Sequence, residues 1–595
     1  MTAKTRKGLR WFDWVLLVLL AVVCNLVFQE TDIFHTGGAS FAYLKGHILD
    51  FYSYTRQAIG GTSYMPTTYV LYAIWNLPLY LLGLKNTVDM EHTLPVQLWY
   101  TILPILCFVG IAVVVYKLAI LKGFSDRKGK IAAYAFAASP VAFYSQFIFT
   151  QYDSITLLFV MLGVYYYFKD DRFKFVLFFA IAVTCKYFAL LIFVPMVLLR
   201  EKKVWPIIAH GVGVMALFLL EILVYLRDPA MRSSVFGFGA TGYIFNVVLD
   251  TGEVFPKISV VILAWVSICA WAFFTKPEEG NALWKWFLYF EGLVLFCVFG
   301  LSMWHPQWLL LAIPFMVFST MMHKRADIFW LLDLVLMLCY VWFSILTWPD
   351  HLDQCLLRNG VLAGLIDGRA QAGRAMQDFF PIHTRSLPFS ALSALMLVNA
   401  LFKHPKWMID SPQTETPDHV GLLRLRFLGG IAMYIVPCMI CFYSMMQAPY
   451  PFSGRVMAAY DLTWITPLQQ GTETFVLEQP FSAKRGTIEQ LDLKFENEEP
   501  QQGDVIISIV DTTDNVTLRE MAILRAAIVS REKTRFRFEP LTLNPDHQYK
   551  IVIACREGGS GTLSVYYTPG ASEEGPVLAN GEAKDICLAA DLFGR

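Results

Sequence analysis

Side chains able to do chemistry gather in a few places along this chain. The segment from Gln29 to Thr93 carries Glu30, Asp32, His35, Lys45, His47, Asp50, Arg56, Asp89, Glu91 and His92, interleaved with aromatic residues. Asp153 follows in Phe149-Thr-Gln-Tyr-Asp-Ser, Lys186 stands in a long apolar run, and Trp304-His-Pro-Gln-Trp308 forms a further polar and aromatic cluster. A carboxylate can take the proton of an acceptor hydroxyl while cations hold a departing phosphate, so the set suits group transfer. It would equally line an ion or solute pathway, and spacing alone does not choose. No GxxxxGK[ST] or GxGxxG sequence occurs, so nothing points to a bound nucleotide.

These residues lie in an unusually apolar chain. Of 595 residues, 56% are hydrophobic and 16% charged, with a mean hydropathy of +0.49. Soluble chains carry about a quarter charged residues, which excludes a cytosolic enzyme, a disordered protein and a nucleic-acid binder. Lys+Arg and Asp+Glu balance at 48 each, leaving no global field to attract a charged partner. Most of the 11 cysteines fall in apolar runs, where Cys packs as a small hydrophobe. The composition is that of a polytopic α-helical membrane protein.

A hydrocarbon core of about 30 Å takes roughly 20 apolar residues per helical crossing. The first candidate, Trp11 to Phe28, follows Lys4, Arg6, Lys7 and Arg10 and is read as a retained helix with a cytoplasmic N-terminus. If the apolar stretch from Met65 to Leu84 does not cross, the second span is Pro95 to Leu121. The basic residues Lys122, Arg127, Lys128 and Lys130 then return to the cytoplasm, as do Lys169, Arg172, Lys174, Arg200, Lys202, Lys203, Lys276, Lys324, Arg325, Lys403, Lys406, Arg424 and Arg426. Further spans follow over 131–147, 154–168, 175–185, 187–199, 206–226, 257–275, 285–302, 308–322, 328–347, 388–402 and 427–446, giving about 13 crossings. The two that meet at Cys185–Lys186 are too short to cross alone and read as half-helices lining a cavity, with Lys186 at their apex. Phe236-Gly-Phe-Gly-Ala-Thr-Gly242 reads as a lid over that cavity.

The transmembrane domain is placed over 1–446, with residues 30–93 as its first outer loop, and a separate domain over 450–595. From Tyr450 onward the chain is polar. Runs such as Asp504-Val-Ile-Ile-Ser-Ile-Val, Phe536-Arg-Phe and Tyr549-Lys-Ile-Val-Ile-Ala alternate with turn clusters, the pattern of an antiparallel β-sandwich. An odd number of crossings puts this domain outside. Cys555 and Cys587 could pair there or stay free, and Asn515-Val-Thr is a glycosylation sequon.

The order of motifs resembles the GT-C superfamily of integral membrane glycosyltransferases. Thr31-Asp32-Ile-Phe-His35, Leu44-Lys-Gly46 and Tyr64-Met-Pro66 resemble its first outer loop, although Met65 stands where a Pro-Pro pair is usual and Asp32 is not part of an Asp-x-Asp. Gln151-Tyr-Asp153-Ser is similar to its second outer turn, Thr184-Cys-Lys186-Tyr-Phe-Ala-Leu with Pro195 to its half-helix pair, and His305-Pro-Gln-Trp-Leu-Leu to its later outer turn. The likeness runs from Trp11 to Thr320 and is nearest to bacterial polyprenyl-phosphate-mannose-dependent mannosyltransferases and lipid-linked-oligosaccharide glucosyltransferases. The C-terminal domain has no counterpart in it.

This resemblance implies an inverting hexosyltransferase, mannose or glucose being expected, that uses a polyprenyl-phosphate sugar at the outer leaflet and acts on an envelope glycan or lipid-linked acceptor. Asp32 would be the general base, and Lys186 and His305 would hold the donor phosphate. Asp153, Gln151, His35, Tyr64 and Gln307 would contact substrate. No cofactor is required; a divalent metal is possible without being indicated. Each residue also has a plainer reading. Asp32 could cap a helix beginning near Thr36 and Asp153 one beginning near Ser154, Lys186 could snorkel to the interface, His305 could be a satisfied buried histidine, and Glu30 is a rival base. A glycan ligase or headgroup transferase, or a lipid or solute transporter, would use a similar outer cavity. The expected location is the plasma membrane, with the site and the β-domain extracytoplasmic.

Overall fold

The computed structural model describes residues 8–30, 32–59, 61–83, 94–237, 242–250, 252, 257–278, 280–348, 361, 377, 380–381, 384–413, 416–447, 450–451, 464–483, 486–498, 502–531, 533–556, 559–570 and 575–594. Two compact units emerge. One is helical and built from Met1–Ala363 and Ala372–Phe442; the other takes in Tyr443–Arg595. Thr31, residues 84–93 (with Asp89, Glu91 and His92) and most of the glycine-rich 236–242 stretch lie outside the described residues.

The helical unit begins with α1 (Trp11–Val27), α2 (Asp32–Ala39), α3 (Phe41–Leu44), α4 (Phe51–Ile59) and α5 (Pro66–Leu81). It continues with α6 (Leu94–Leu121), α7 (Asp126–Ala137), α8 (Pro140–Phe147), α9 (Asp153–Phe168), α10 (Arg172–Cys185), α11 (Ala189–Arg200) and α12 (Val204–Tyr225). After the short α13 (Met231–Val235) and α14 (Tyr243–Asn246) come α15 (Val260–Phe274), α16 (Ala282–Leu301), α17 (Ile313–Met322), α18 (Ala326–Thr347), α19 (Leu387–Leu401) and α20 (Val420–Gln447). Four of these, α6, α12, α16 and α18, are each long and apolar enough to cross a membrane by length and composition. Helix α1 and the Asp32–Leu44 segment pass that test together but meet at 85°. The expected 13 crossings remain a count made from sequence.

Two expected spans are subdivided. The 131–147 stretch is broken between α7 and α8, because Pro140 disfavours helical backbone at Ser139 and starts a new helix at its own first position. The 308–322 stretch opens as a 3₁₀ turn over Pro306–Ala312 before α17.

Helix α6 measures the distance between two chemically different ends. Near its start, Gln97 Nε2 donates to the Glu30 carbonyl. Near its end, Tyr116 Oη donates to Asp126, beside the Arg127–Asp418 ion pair and the Lys128–Thr416 hydrogen bond. Gln97 and Tyr116 are about 29 Å apart along the axis at 1.5 Å per residue, close to a hydrocarbon thickness. The basic loop after α6 therefore sits at one end of the helix and the acidic first loop at the other.

Helices α10 and α11 form a hairpin. Arg200 bonds the Tyr167 carbonyl at 2.8 Å and Asp170 at 2.6 Å, and Arg172 pairs with Glu201 at 3.4 Å, so the start of α10 and the end of α11 meet. Phe175 stacks on Phe193 between them. At 14 and 12 residues they are about 21 and 18 Å long, and Lys186 lies at their turn, away from the basic open ends.

The second unit is a pair of antiparallel sheets with a shared apolar core that includes Leu491, Leu493, Phe495, Val505, Ile507, Ile551 and Ile553. Thr487–Asn497 is the central strand of one sheet, pairing with Lys533–Thr542, Ala590–Gly594 and Leu563–Pro569. Asp504–Asp511 and Gln548–Cys555 pair in the other. Arg525, fully buried, donates to Gln469, Asn497 and the carbonyls of Ser560 and Thr562. Cys555 and Cys587 are both free thiols, which settles the open alternative against a disulfide.

Candidate functional site

The site is assembled by the turn between α8 and α9. Thr150 takes a left-handed φ of +38°, rare for a β-branched residue and costly, of order 1–3 kcal/mol. Its Oγ1 accepts from the Glu30 backbone N–H at 3.3 Å, fixing the segment between α1 and α2. Gln151 Nε2 donates to Asp32 Oδ2 at 2.6 Å. Tyr152 stacks edge-on against Tyr64, with ring centres 4.9 Å apart. Asp153 starts α9 and pairs with Lys186; their side chains are 1% and 5% exposed.

Three rings surround the Lys186 ammonium: Tyr152 at 4.9 Å, Trp308 at 5.2 Å and Tyr64 at 6.0 Å. Such cation–π contacts are strongest where water is displaced. Asp153 Oδ2 remains buried without a hydrogen-bond partner among the described residues, as do the Oε1 atoms of Gln151 and Gln307. Burial, with the neighbouring Asp32 carboxylate and that of Asp153, holds the Tyr64 phenol well above its ordinary pKa, so it stays a neutral donor.

His305 is carried at the start of the 3₁₀ turn, where its ring stacks on Trp348 at 4.3 Å and packs against Trp308 at 5.3 Å. Trp308 lies between it and Lys186, packing against the His305 ring and facing the Lys186 ammonium. Asp32 is exposed and lies in the first turn of α2, so that helix begins four residues before the expected Thr36 start and Asp32 does not cap it from outside. His35 sits three residues further along α2, half-buried, and makes no hydrogen bond or ion pair among the described residues. His47 pairs instead with Asp50 at 3.0 Å, away from this group.

Asp32, Gln151, Asp153, Lys186, Tyr64, Gln307 and His305 thus stand on a handful of adjoining elements. The ring contacts of Tyr152 and the strained Thr150 were not among the expected site residues. Next to Lys186 a mostly apolar cavity of about 350 Å³ opens between Met65, Cys185, Phe218, Phe236, Phe245 and Trp308.

Among the described residues one trio has metal-ligating spacing: Asp511, Asp514 and His547, in the β-unit. Its members already bond each other, His547 Nδ1 lying 2.7 Å from Asp511.

Solved structures that resemble the chain include two membrane-enzyme structures. ArnT from Cupriavidus metallidurans, bound to undecaprenyl phosphate, is 14% identical, with 73% of this chain and 78% of that chain covered and a TM-score of 0.36. The arabinosyltransferase EmbB from Mycobacterium smegmatis is 10% identical, with 95% and 64% covered and a TM-score of 0.34. At these scores the likeness assigns no family. No family model and no curated protein matches.

Proposed function

We propose that this chain is a membrane glycosyltransferase that moves a sugar from a polyprenyl-phosphate donor to a hydroxyl acceptor at the outer face. The observation that carries the proposal is the pairing of an exposed carboxylate, Asp32, with a buried, ring-enclosed lysine, Lys186, on one continuous set of contacts beside an apolar cavity. An isoprenyl chain suits the cavity, and its phosphate suits the ammonium at the cavity wall.

In this scheme the acceptor oxygen attacks the anomeric carbon while its proton passes to Asp32, a contribution typically worth about 10²–10⁴-fold. The bond from the anomeric carbon to the phosphate oxygen breaks, and its electron pair leaves with the phosphate. Lys186 then meets a growing negative charge in a partly dry site, where such stabilisation is strong. Asp153 holds the ammonium in place until the phosphate competes for it. Gln151 orients the Asp32 carboxylate, and Trp308 lines the cavity wall beside Lys186 with His305 packed behind it. A second role proposed for His305 is contact with the donor phosphate through a ring nitrogen, its faces being taken up by the aromatic packing. Mannose or glucose is the sugar the sequence motifs favour, the acceptor being an envelope glycan or a lipid-linked one.

Purified protein incubated with a panel of synthetic lipid-phosphate sugars tests the proposal. Release or transfer of sugar from at least one donor is expected. Turnover of none, or movement of the intact lipid without sugar transfer, would favour headgroup transfer or transport instead.

A further inference from the structure

The wall of the Lys186 cavity is held by groups that the transfer chemistry does not use. Helix α5 opens at Pro66, and its N-cap, Met65, offers no side-chain oxygen to the first-turn amides. Such amides need an acceptor. It comes from α12: Glu221 accepts from Thr67 N at 3.0 Å and from Thr67 Oγ1. Glu221 is 9% exposed, and its Oε2 is buried without a hydrogen-bond partner among the described residues. A carboxylate so placed in an apolar helix costs stability and marks a functional position.

The same segment repeats the device. One turn on, Tyr225 Oη bonds Tyr43 Oη of α3 at 2.8 Å. Three residues later Asp228 accepts from Tyr52 N at 2.8 Å, Ser53 N at 3.2 Å and Ser53 Oγ at 2.5 Å, capping the start of α4. One turn before Glu221, Phe218 lines the cavity together with Tyr64 and Met65. A single stretch of chain therefore shapes the cavity and anchors the starts of two of its neighbouring helices.

We propose that Glu221 and Asp228 are positioning residues of the donor pocket. By capping α5 and α4 they set Tyr64 and Met65 against Lys186, and neither touches a reacting atom. Carboxylates at helix N-termini also complement the helix dipole. The inference rests on the transfer proposal for the identity of the ligand, a lipid phosphate.

The test uses the full chain in detergent with two readouts: amide hydrogen exchange over residues 63–69, and binding of a C15 isoprenyl monophosphate. Glu221→Ala is expected to raise exchange at the Thr67 amide and weaken probe binding, each by about tenfold, the lower bound for a hydrogen bond to a charged group. In the transfer assay its donor KM rises with kcat little changed. Glu221→Gln still accepts from Thr67 and brings both readouts back to within about threefold of wild type. If Glu221→Ala does not fold, Thr67→Ala removes one of the two bonds and shifts both readouts in the same direction by less. Unchanged exchange and binding in the Ala variants overturn the inference, as does a wild-type chain that fails to bind the probe. A wild-type chain that binds the probe and follows this pattern, yet transfers no sugar, supports the inference and overturns only the transfer proposal.

Discussion

The Asp32 carboxylate accepts a 2.6 Å hydrogen bond from Gln151, which stands two residues before Asp153 and its buried partner Lys186. One four-residue turn, Thr150 to Asp153, therefore sets both the carboxylate proposed to take a proton and the cation proposed to meet a phosphate. A shift of that turn moves both groups together. Precision of this kind matters because small misplacements of reacting groups cost large factors in rate.

Lys186 and Asp153 form a buried pair, so removing one partner leaves the other uncompensated. Lys186→Met is expected to lower stability by about 3–5 kcal/mol, seen as a lower unfolding midpoint in detergent. Adding Asp153→Asn restores much of the midpoint but does not restore binding of a lipid phosphate. Recovery of that binding in the double variant would show that Lys186 serves the fold alone.

Thr150 stores backbone strain while its hydroxyl holds the Glu30 amide. Glycine at this position accepts the left-handed φ without penalty. Thr150→Gly is therefore expected to keep or raise the unfolding midpoint while transfer falls about tenfold, the loss of one functional hydrogen bond and of a rigid turn. Unchanged transfer would mean that the strain has no bearing on the site.

Much of this arrangement was legible in the sequence, and the remainder depends on tertiary packing. Lys186 at an apex followed from two apolar runs too short to cross and flanked by basic residues, and the structure closes α10 and α11 into a hairpin through Arg172, Arg200 and Glu201. The strands of the C-terminal unit followed from alternation, as in Asp504–Asp511, whose side chains alternate between partly and fully buried. The break at Ser139-Pro140 could have been read from the proline alone. No spacing rule links Asp153 to Lys186, 33 residues away, or Gln151 to Asp32, because both contacts depend on how α2, α9 and α10 pack. Glu221 and Asp228 left a readable trace, two acids at the end of an apolar helix, but their partners on α5 and α4 did not.

His547 provides a pH test within the β-unit. The hydrogen bond that His547 Nδ1 donates to the Asp511 carboxylate raises the His547 pKa above its ordinary value of about 6.5, against a smaller effect of burial, and Asp514 and Asp546 act in the same direction. Its stabilisation is full below about pH 6.5 and is lost as pH rises through the raised folded value. Burial opposes ionisation of Asp511, yet the His547 bond and the backbone amides of Asp514 and Thr513 hold its pKa below the ordinary value; that contribution is lost in acid as pH falls through the lowered folded value. Hydrogen exchange in the 504–524 hairpin, corrected for intrinsic rate, should show protection declining from pH 6 to 8, and His547→Gln should remove that decline. The same decline in His547→Gln would assign it to another group.

Cys555 is buried, which pushes its thiol up to about 11, and Cys587 is free. After unfolding without reductant, peptides containing Cys555 and Cys587 should be fully alkylated, with masses unchanged by prior reduction. In the folded chain Cys555 should react far more slowly than an ordinary exposed thiol, since the thiolate is the reactive form. A reductant-dependent mass shift linking the two peptides would contradict the free-thiol assignment.

The central claim is that Asp32 takes the acceptor proton, and Asp32→Asn tests it most directly because the side-chain oxygen that accepts from Gln151 is retained while the basic charge is lost. With a lipid-phosphate sugar as donor, transfer should fall by about 10²–10⁴-fold while expression and donor binding stay near wild type. Transfer within a few-fold of wild type in that variant would contradict the account.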